Sequence, residues 1–307
     1  MSFYKLLKIL SFMIRLNNVT KALNHKNIID NVSFSVNNSE IVGYVGPNGA
    51  GKTTTMKIIV GVSNPSSGDV IIDDYSITKD KDKAQRNIGW IPEIINFDEN
   101  EKAIDYFYYI ASFYGIGKEE AKRIAEELFH LVGLEGKENQ KIKTFSQGMK
   151  RRYAIALGLI NNPKNLILDE PQNGLDPQGI ILVRELLMKM KNKGCAILFS
   201  SHLLGEIEKI ADRIVFIDKG KIIKEVKAKE LSGVVKIVLK EVNQGILTKI
   251  MEIGDARVKG NVIYLNEDVD LIEVIQAVGK RNIIELKQSY DLEDIFGSLY
   301  GLNNSVE

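Results

Sequence analysis

The chain has 307 residues, enough for one large domain or two smaller ones, and its 44% hydrophobic and 26% charged residues are typical of a globular protein. Lysine plus arginine (41) nearly balances aspartate plus glutamate (40), so the overall charge gives no indication of a nucleic-acid partner. The single cysteine, Cys195, excludes a disulfide within one chain and favours a reducing compartment, and no uncharged apolar run approaches the ~18 residues of a membrane-spanning helix.

Residues 1–12 are expected to be an extension ahead of the first domain. Their lysines and the lack of a small-residue cleavage site argue against a signal peptide. A short surface helix at a membrane or a partner is the alternative, because apolar residues recur there at helical spacing: Phe3, Leu6, Leu7 and Leu10.

A phosphate-binding loop is predicted after the alternating segments IRLNNVTKAL and IIDNVSFSV. The segment EIVGYV at 40–45 is β-branched and apolar, which predicts a buried strand. GPNGAGKT at 46–53 fits G-x-x-x-x-G-K-[S/T], and apolar residues at helical spacing follow it. Strand, glycine-rich loop and helix is the context in which backbone amides surround phosphate oxygens.

Within this loop we expect Lys52 to reach the β- and γ-phosphates of a nucleoside triphosphate and the hydroxyl of Thr53 to bind Mg²⁺. The residues expected to line the nucleotide are Gly46, Pro47, Asn48, Gly49, Ala50, Gly51, Lys52, Thr53 and Thr54.

From about residue 94 to 161 the apolar pattern becomes helical. The segment KEEAKRIAEELFHLVGL places apolar residues on one face, at Ala121, Ile124, Ala125, Leu128 and Leu131. The segment DYFYYIASFY at 105–114 holds more aromatic side chains than one buried stripe needs. Either all of them fill a core, or some form an anchor pocket for a partner.

NLILDEP at 165–171 predicts a buried parallel strand that delivers Asp169 and Glu170 to its C-terminal end, where ligands bind in open α/β sheets. Asp169 is expected to hold Mg²⁺ through water, and Glu170 to polarise an attacking water. Residues 229–307 show the order strand, helix, hairpin, helix, strand, which predicts a small βαββαβ unit with its own core and no catalytic constellation.

Together with the segments between them, these motifs resemble the nucleotide-binding subunit of an ABC transporter over roughly residues 13–225. The further matches are IGWIPE (88–93) to the Q-loop, FSQGM (145–149) to the signature, LILDE to the Walker B strand, NGLDP (173–177) to the D-loop and SSHLLGEIE (200–208) to the switch histidine. The Pro-Glu pair, the S-x-G-M form and the closing YDLEDIFGSLYG are similar to the drug-exporter branch, with Asp291 as a possible cap of the last helix.

The resemblance implies a role for each motif. Ser146, Gln147 and Gly148 would contact the γ-phosphate held by a second copy of the chain, so that a head-to-tail dimer encloses two ATP molecules. His202 would contact the γ-phosphate and, with Glu170, hold the attacking water. Asp176 would link the two sites across the dimer interface, and Glu93 would take the Q-loop position beside Mg²⁺.

The fold class that follows is α/β: a P-loop NTPase core with a flanking antiparallel β-sheet and a helical subdomain (an ABC ATPase), plus a small α+β C-terminal domain. The expected boundaries are an extension at 1–12, the ATPase domain at 13–228 with its helical subdomain at about 94–161, and the accessory domain at 229–307. A dimer-stabilising or regulatory role is expected for the accessory domain.

This sequence departs from the family pattern at three positions. Leu23 stands where many relatives stack an aromatic ring on adenine, so we expect weak discrimination between ATP and GTP unless His25 or Leu23 compensates by packing. Glu93 replaces the glutamine of the Q-loop, but a carboxylate is still a ligand for Mg²⁺. Gln147 replaces the first glycine of the signature.

The resemblance implies an Mg²⁺-dependent ATPase subunit that energises transport, in the direction of export, through a separate polytopic membrane subunit. It would lie at the cytoplasmic face of the membrane as a dimer, with no nucleic acid bound. A soluble relative acting on ribosomes or nucleic acid is one alternative, which the single cassette and the lack of a heptad insert disfavour. A nucleotide sensor without turnover is the other, which Glu170 disfavours.

Overall fold

The computed structural model describes residues 12–24, 26–228, 234–266 and 269–289, together with Leu292, Phe296, Leu299 and Tyr300. The predicted extension before Phe12, the possible compensation by His25 and the possible cap at Asp291 lie outside the described residues. The chain divides between Glu225 and Val226 into two compact units. The boundary that we placed after residue 228 stays a prediction.

The strands, in chain order, are β1 (Phe12–Leu23), β2 (Lys26–Asn37), β3 (Ile41–Val45), β4 (Ser67–Ile72), β5 (Tyr75–Ser76), β6 (Ile88–Ile91), β7 (Asn165–Leu168), β8 (Ala196–Ser200), β9 (Arg213–Asp218), β10 (Lys221–Lys227), β11 (Val234–Leu239), β12 (Ala256–Lys259), β13 (Val262–Asn266) and β14 (Ile283–Ser289).

The α-helices are α1 (Lys52–Ile59), α2 (Lys81–Gln85), α3 (Ala103–Phe113), α4 (Lys118–Leu131), α5 (Gln147–Gly158), α6 (Pro177–Asn192), α7 (Leu204–Ile210), α8 (Gln244–Ile253) and α9 (Leu271–Val278). In the part of the chain that the structure describes, none of the helices is both long enough and apolar enough to cross a membrane.

The first sheet in chain order is antiparallel and has the strand order β2-β1-β4-β5. Leu16 on the central strand β1 pairs with Phe34 of β2 and with Val70 of β4, and all three side chains are buried. The alternating pattern of these segments therefore arises because one sheet face packs on the core. The flanking antiparallel sheet expected from the sequence is confirmed.

The second sheet has the order β10-β9-β3-β8-β7-β6, and its pairs from β9 to β6 are parallel. The residues of β3, β7 and β8 are buried throughout, which explains their uninterrupted apolar sequences. Register pairs Leu168 of β7 with Phe199 of β8, and Tyr44 of β3 with Ser200 of β8. The C-terminal ends of β3, β8 and β7 therefore lie side by side at one edge.

Helices α3, α4 and α5 form the helical layer, and its centre is aromatic. The rings of Phe107 on α3, Phe129 on α4 and Tyr153 on α5 are fully buried. The ring centroid of Phe129 lies 6.0 Å from that of Phe107 and 5.7 Å from that of Tyr153. The hydroxyl of Tyr153 donates to the carbonyl of Ala103 at 2.6 Å, so its one polar atom is satisfied. The predicted helical subdomain is confirmed by these contacts.

The aromatic segment at 105–114 does not serve this core alone. Phe107 is fully buried, whereas Tyr109 is 58% and Phe113 is 68% exposed. Their two rings meet edge to face at 4.9 Å on the surface. The interpretation in which all the aromatic residues fill the core is therefore wrong. Helical periodicity identifies a stripe of side chains, but it does not show whether that stripe is buried or exposed.

The single cysteine lies inside the first unit, just before β8. Burial, together with a smaller effect of the negative charge of Asp73, raises the pKa of the Cys195 thiol to about 12. The thiol contacts the carbonyl oxygen of Pro163 at 3.6 Å. Cys195 is therefore a small buried apolar residue in this fold.

The second unit has the predicted βαββαβ order. Its sheet has the order β12-β13-β11-β14 with every neighbouring pair antiparallel. Its apolar core is separate from that of the first unit and consists of Val235, Ile237, Leu239, Ile250, Ile263, Leu265, Val274 and Val278. A core of its own gives this unit a basis for independent stability.

We predict that Ile237→Ala destabilises the second unit by about 2–5 kcal/mol, because it removes a fully buried side chain and leaves a cavity. The matched control is Ile284→Ala, since Ile284 is 63% exposed in the same sheet, and its cost should stay below about 1 kcal/mol. Hydrogen–deuterium exchange of peptides from residues 234–266 measures both effects. Equal acceleration of exchange in the two variants would contradict this description of the core.

Candidate nucleotide site

The loop at residues 46–51 leaves the end of β3 and turns directly into α1. A β-carbon at Gly46 would lie 2.3 Å from the carbonyl oxygen of Ile217 on β9, so only glycine fits there. Gly51 precedes α1 with φ of 110°, in the left-handed region that favours glycine. These two positions explain why the loop follows a glycine pattern.

Side-chain hydrogen bonds to β3 and to the loop fix the start of α1. Thr55 Oγ1 donates to the carbonyl oxygen of Gly51 at 3.0 Å and lies 3.2 Å from the hydroxyl of Tyr44. The ammonium of Lys52 donates to the loop carbonyls of Gly46 at 2.7 Å and Pro47 at 3.3 Å. A positive charge is thereby held at the N-terminus of α1, where anions bind.

The first carboxylate follows β7 directly. Asp169 is fully buried, and its Oδ1 accepts a hydrogen bond from Ser200 Oγ at 2.7 Å. The same Ser200 Oγ accepts from the backbone N–H of Glu170 at 2.9 Å. Ser200 therefore joins the end of β8 to both acidic residues that follow β7.

Glu170 is held in an unusual backbone conformation. Its φ is +48°, a left-handed value that is uncommon for a residue other than glycine. Its Oε2 accepts from the backbone N–H of His202 at 3.1 Å and lies 2.8 Å from Nδ1 of the same histidine. Only 10% of the Glu170 side chain is exposed, against 59% for His202. The two contacts with His202 thus fix the position of the Glu170 carboxylate.

The residues at this edge fit a divalent cation of the Mg²⁺ type. Oδ2 of the buried Asp169 has no hydrogen-bond partner in the described chain, although most buried carboxylate oxygens have one. A metal-bound water would satisfy this oxygen. Thr53 is half-buried in the first turn of α1, and the side chain of Glu93 is exposed just after β6.

The signature segment begins α5. Ser146 is the N-cap residue, and its Oγ accepts from the backbone N–H of Met149 at 3.2 Å. Ser146 and Gln147 are exposed, and a β-carbon at Gly148 would lie 3.2 Å from the carbonyl oxygen of Gly174. These residues thus present a helix N-terminus to solvent, where a partner molecule could supply an anion.

Asp176 caps another helix. Its Oδ1 accepts from the backbone N–H of Gly179 at 2.9 Å at the start of α6. Pro177 follows at the first helical position, as is common after a cap. The predicted link between two copies through Asp176 stays a prediction, and the capping bond sets where its carboxylate lies.

Two residues with structural roles at this site were not singled out from the sequence. Ser200 bridges Asp169 and Glu170, and the only signal was its place in the SSH segment. Arg151 is only 6% exposed although it lies in the basic run KRR. Leu23, the residue at the expected base-stacking position, is 53% exposed at the end of β1.

Known proteins match most of this chain. Residues 29–173 match the family model for ABC transporters. An uncharacterized ABC transporter ATP-binding protein, YhcH of Bacillus subtilis, is 44% identical over 69% of this chain and 68% of its own length. The Nod factor export ATP-binding protein I of Cupriavidus metallidurans is 30% identical over 94% of this chain and 97% of its own length.

A solved structure has the same fold. The dimeric structure of MJ0796, a bacterial ABC transporter cassette, superposes with a TM-score of 0.66 and is 28% identical. The match covers 70% of this chain and 99% of that chain.

We predict that Ser200→Ala destabilises the first unit by about 2–4 kcal/mol, because it leaves a buried carboxylate oxygen and a buried N–H without their partner. The matched control is Ser201→Ala, since the equally buried Ser201 Oγ accepts only from the N–H of Leu203 and should cost about 1 kcal/mol. Urea unfolding followed by the fluorescence of Trp90, the one tryptophan, measures both changes. A smaller loss for Ser200→Ala than for Ser201→Ala would show that Ser200 does not bridge the Asp169 carboxylate and the backbone N–H of Glu170.

Proposed function

The chain belongs to the ABC transporter family of ATP-binding proteins, and from this premise we propose that it hydrolyses ATP in a closed dimer to energise export through a separate membrane subunit. The observation that carries the proposal is the edge where Glu170, Asp169 and His202 lie beside the phosphate-binding loop. A relative of almost equal extent is named for export of Nod factor, which supports export as the direction.

The chemistry proposed for this edge is in-line attack of water on the γ-phosphate of ATP. Glu170 accepts a hydrogen bond from the water and orients it, and its two contacts with His202 keep the carboxylate in place. Lys52 exchanges the loop carbonyls of Gly46 and Pro47 for phosphate oxygens and stabilises the charge that develops there.

Mg²⁺ would be held by Thr53, Asp169 and Glu93, and when bound it supplies a positive charge that neutralises the phosphate oxygens. The unpartnered oxygen of Asp169 supports this assignment. The loop residues from Gly46 to Thr54 would surround the phosphates through their backbone N–H groups.

A second copy of the chain would complete each nucleotide site. Ser146, Gln147 and Gly148 begin α5 at the surface, and a nucleotide held by the partner's loop would receive their donors. The related cassette MJ0796 has a dimeric structure, which supports a twofold arrangement. Binding of ATP would then close the dimer, and hydrolysis with product release would open it.

An exposed aromatic patch is the proposed contact with the membrane subunit. It consists of Tyr109 and Phe113, which are 58% and 68% exposed and whose ring centroids lie 4.9 Å apart. Large apolar and aromatic side chains exposed together are typical of protein interfaces. The patch lies on α3, the helix that follows the segment containing Glu93. This contact would place the chain at the cytoplasmic face of the membrane.

We predict that Glu170→Gln lowers phosphate release from ATP by about a hundredfold or more, because the neutral amide no longer accepts the proton of the attacking water. The same variant should bind Mg²⁺ and ATP and accumulate as a dimer, since the nucleotide stays in the closed site. Phosphate release and light scattering after size exclusion measure the two effects. The matched control is Glu185→Gln, the same change at an exposed residue of α6.

Two outcomes would contradict the proposal. Equal phosphate release by Glu170→Gln and the wild type would remove Glu170 from the reaction. A strictly monomeric Glu170→Gln variant at saturating Mg²⁺ and ATP would exclude a site that two copies share.

We predict that the double substitution Tyr109→Ala and Phe113→Ala reduces the membrane-bound fraction of the protein at least about fivefold, because it removes two exposed rings of the contact. ATP hydrolysis by the isolated chain should change less than about twofold, since neither ring belongs to the core. The matched control is Tyr75→Ala, an exposed tyrosine on β5 of the antiparallel sheet. Membrane sedimentation from native cells measures recruitment, and an unchanged bound fraction would exclude this patch as the contact.

A further inference from the structure

Helix α5 holds the segment that follows β6 through side chains of its first two turns. Lys150 pairs with Glu99 at 2.5 Å, and the hydroxyl of Tyr153 donates to the carbonyl of Ala103. Between these contacts, Arg151 donates from Nη1 to the carbonyl of Pro92 at 2.7 Å and from Nη2 to the carbonyl of Glu93 at 2.6 Å. The segment from Pro92 to Ala103 is thus held to one helix at Pro92 and Glu93, at Glu99 and at Ala103.

The contact of Arg151 differs from an ordinary surface ion pair. The residue is 6% exposed, and both terminal nitrogens bind neighbouring carbonyls in the forked geometry that only arginine provides. Burial lowers the pKa of Arg151, while the negative charges of Glu93, Asp169 and Glu170 act in the opposite direction. The buried guanidinium of Arg151 therefore interacts electrostatically with the acidic residues of the nucleotide site.

Arg151 also lies close to the start of its helix. Ser146 and Gly148, which begin α5, lie within about one and a half turns of it. One short rigid segment thus carries the residues proposed to contact the partner's nucleotide and also holds Glu93, which is proposed to act on the chain's own nucleotide.

We propose that Arg151 is a positioning residue, which fixes the backbone of Pro92 and Glu93 to the signature helix and so sets where the Glu93 carboxylate lies in the nucleotide site. The inference rests on the proposed function, since the Glu93 carboxylate matters only if this edge binds and hydrolyses ATP. Among the described residues, no other side chain forms a hydrogen bond with the backbone of Glu93.

The neighbouring Arg152 offers a matched control on the same helix. Its Nη1 donates to the carbonyls of Val132 at 3.0 Å and Gly133 at 2.8 Å, beyond the end of α4. Arg152 thus also joins α5 to backbone carbonyls, but to those that follow α4 and not to those of Pro92 and Glu93. A general effect of losing one arginine anchor from α5 should appear in both variants.

The test compares Arg151→Gln, Arg151→Lys and Arg152→Gln with the wild type in ATP hydrolysis. For Arg151→Gln we expect kcat to fall about tenfold to hundredfold with KM for ATP within about threefold, because the phosphate-binding loop is untouched. Arg152→Gln should keep kcat within about threefold. Hydrogen–deuterium exchange of residues 88–103 in the nucleotide-free protein should accelerate in Arg151→Gln and not in Arg152→Gln.

A double-mutant cycle with Glu93→Ala separates positioning from general destabilisation. If Arg151 acts through Glu93, adding Arg151→Gln to Glu93→Ala should change kcat less than about threefold. If the two losses multiply, Arg151 has only a structural role and the inference is wrong. Should Arg151→Gln fail to fold, Arg151→Lys decides, because it keeps the charge but replaces the fork with one ammonium.

The outcomes also separate this inference from the proposed function. Absence of phosphate release from the wild type would overturn both. Normal release by the wild type, lost in Glu170→Gln but kept in Arg151→Gln and Arg151→Lys, would overturn the inference alone.

Discussion

The hydrogen bonds of β8, with β3 on one side and β7 on the other, set the positions of the charged groups in the nucleotide site. Because all three strands run in the same direction, the loop after β3, the carboxylates after β7 and the histidine after β8 emerge at one edge. Ser200, the last residue of β8, then binds both Asp169 and the N–H of Glu170. A shift in this register would separate the positive loop from the carboxylates.

Much of this architecture could be predicted because each strand and helix has a distinct local pattern. The uninterrupted apolar residues of β3 and β7, and the glycines of the loop, reflect constraints that act within a few residues. The order of elements in the second unit was predicted for the same reason. The exposure of Tyr109 and Phe113 could not be predicted, because helical spacing identifies a stripe but not what covers it.

The site shows a similar division between local and distant constraints. Lys52, Asp169 and Glu170 follow from motifs in which chemistry and backbone geometry are adjacent in sequence. The roles of Ser200 and Arg151 depend on contacts with residues 30 or more positions away, such as the 58 positions that separate Arg151 from Glu93. The left-handed backbone of Glu170 has no sequence signature either, because glutamate rarely adopts it.

The burial of Cys195 has a practical consequence for studies of motion. Because burial raises the pKa of the Cys195 thiol to about 12, little of it is in the reactive thiolate form at neutral pH. A cysteine introduced on the surface would therefore react with maleimide dyes or spin labels far faster than the native one. Distances between labelled copies could be followed through a nucleotide cycle without first removing Cys195.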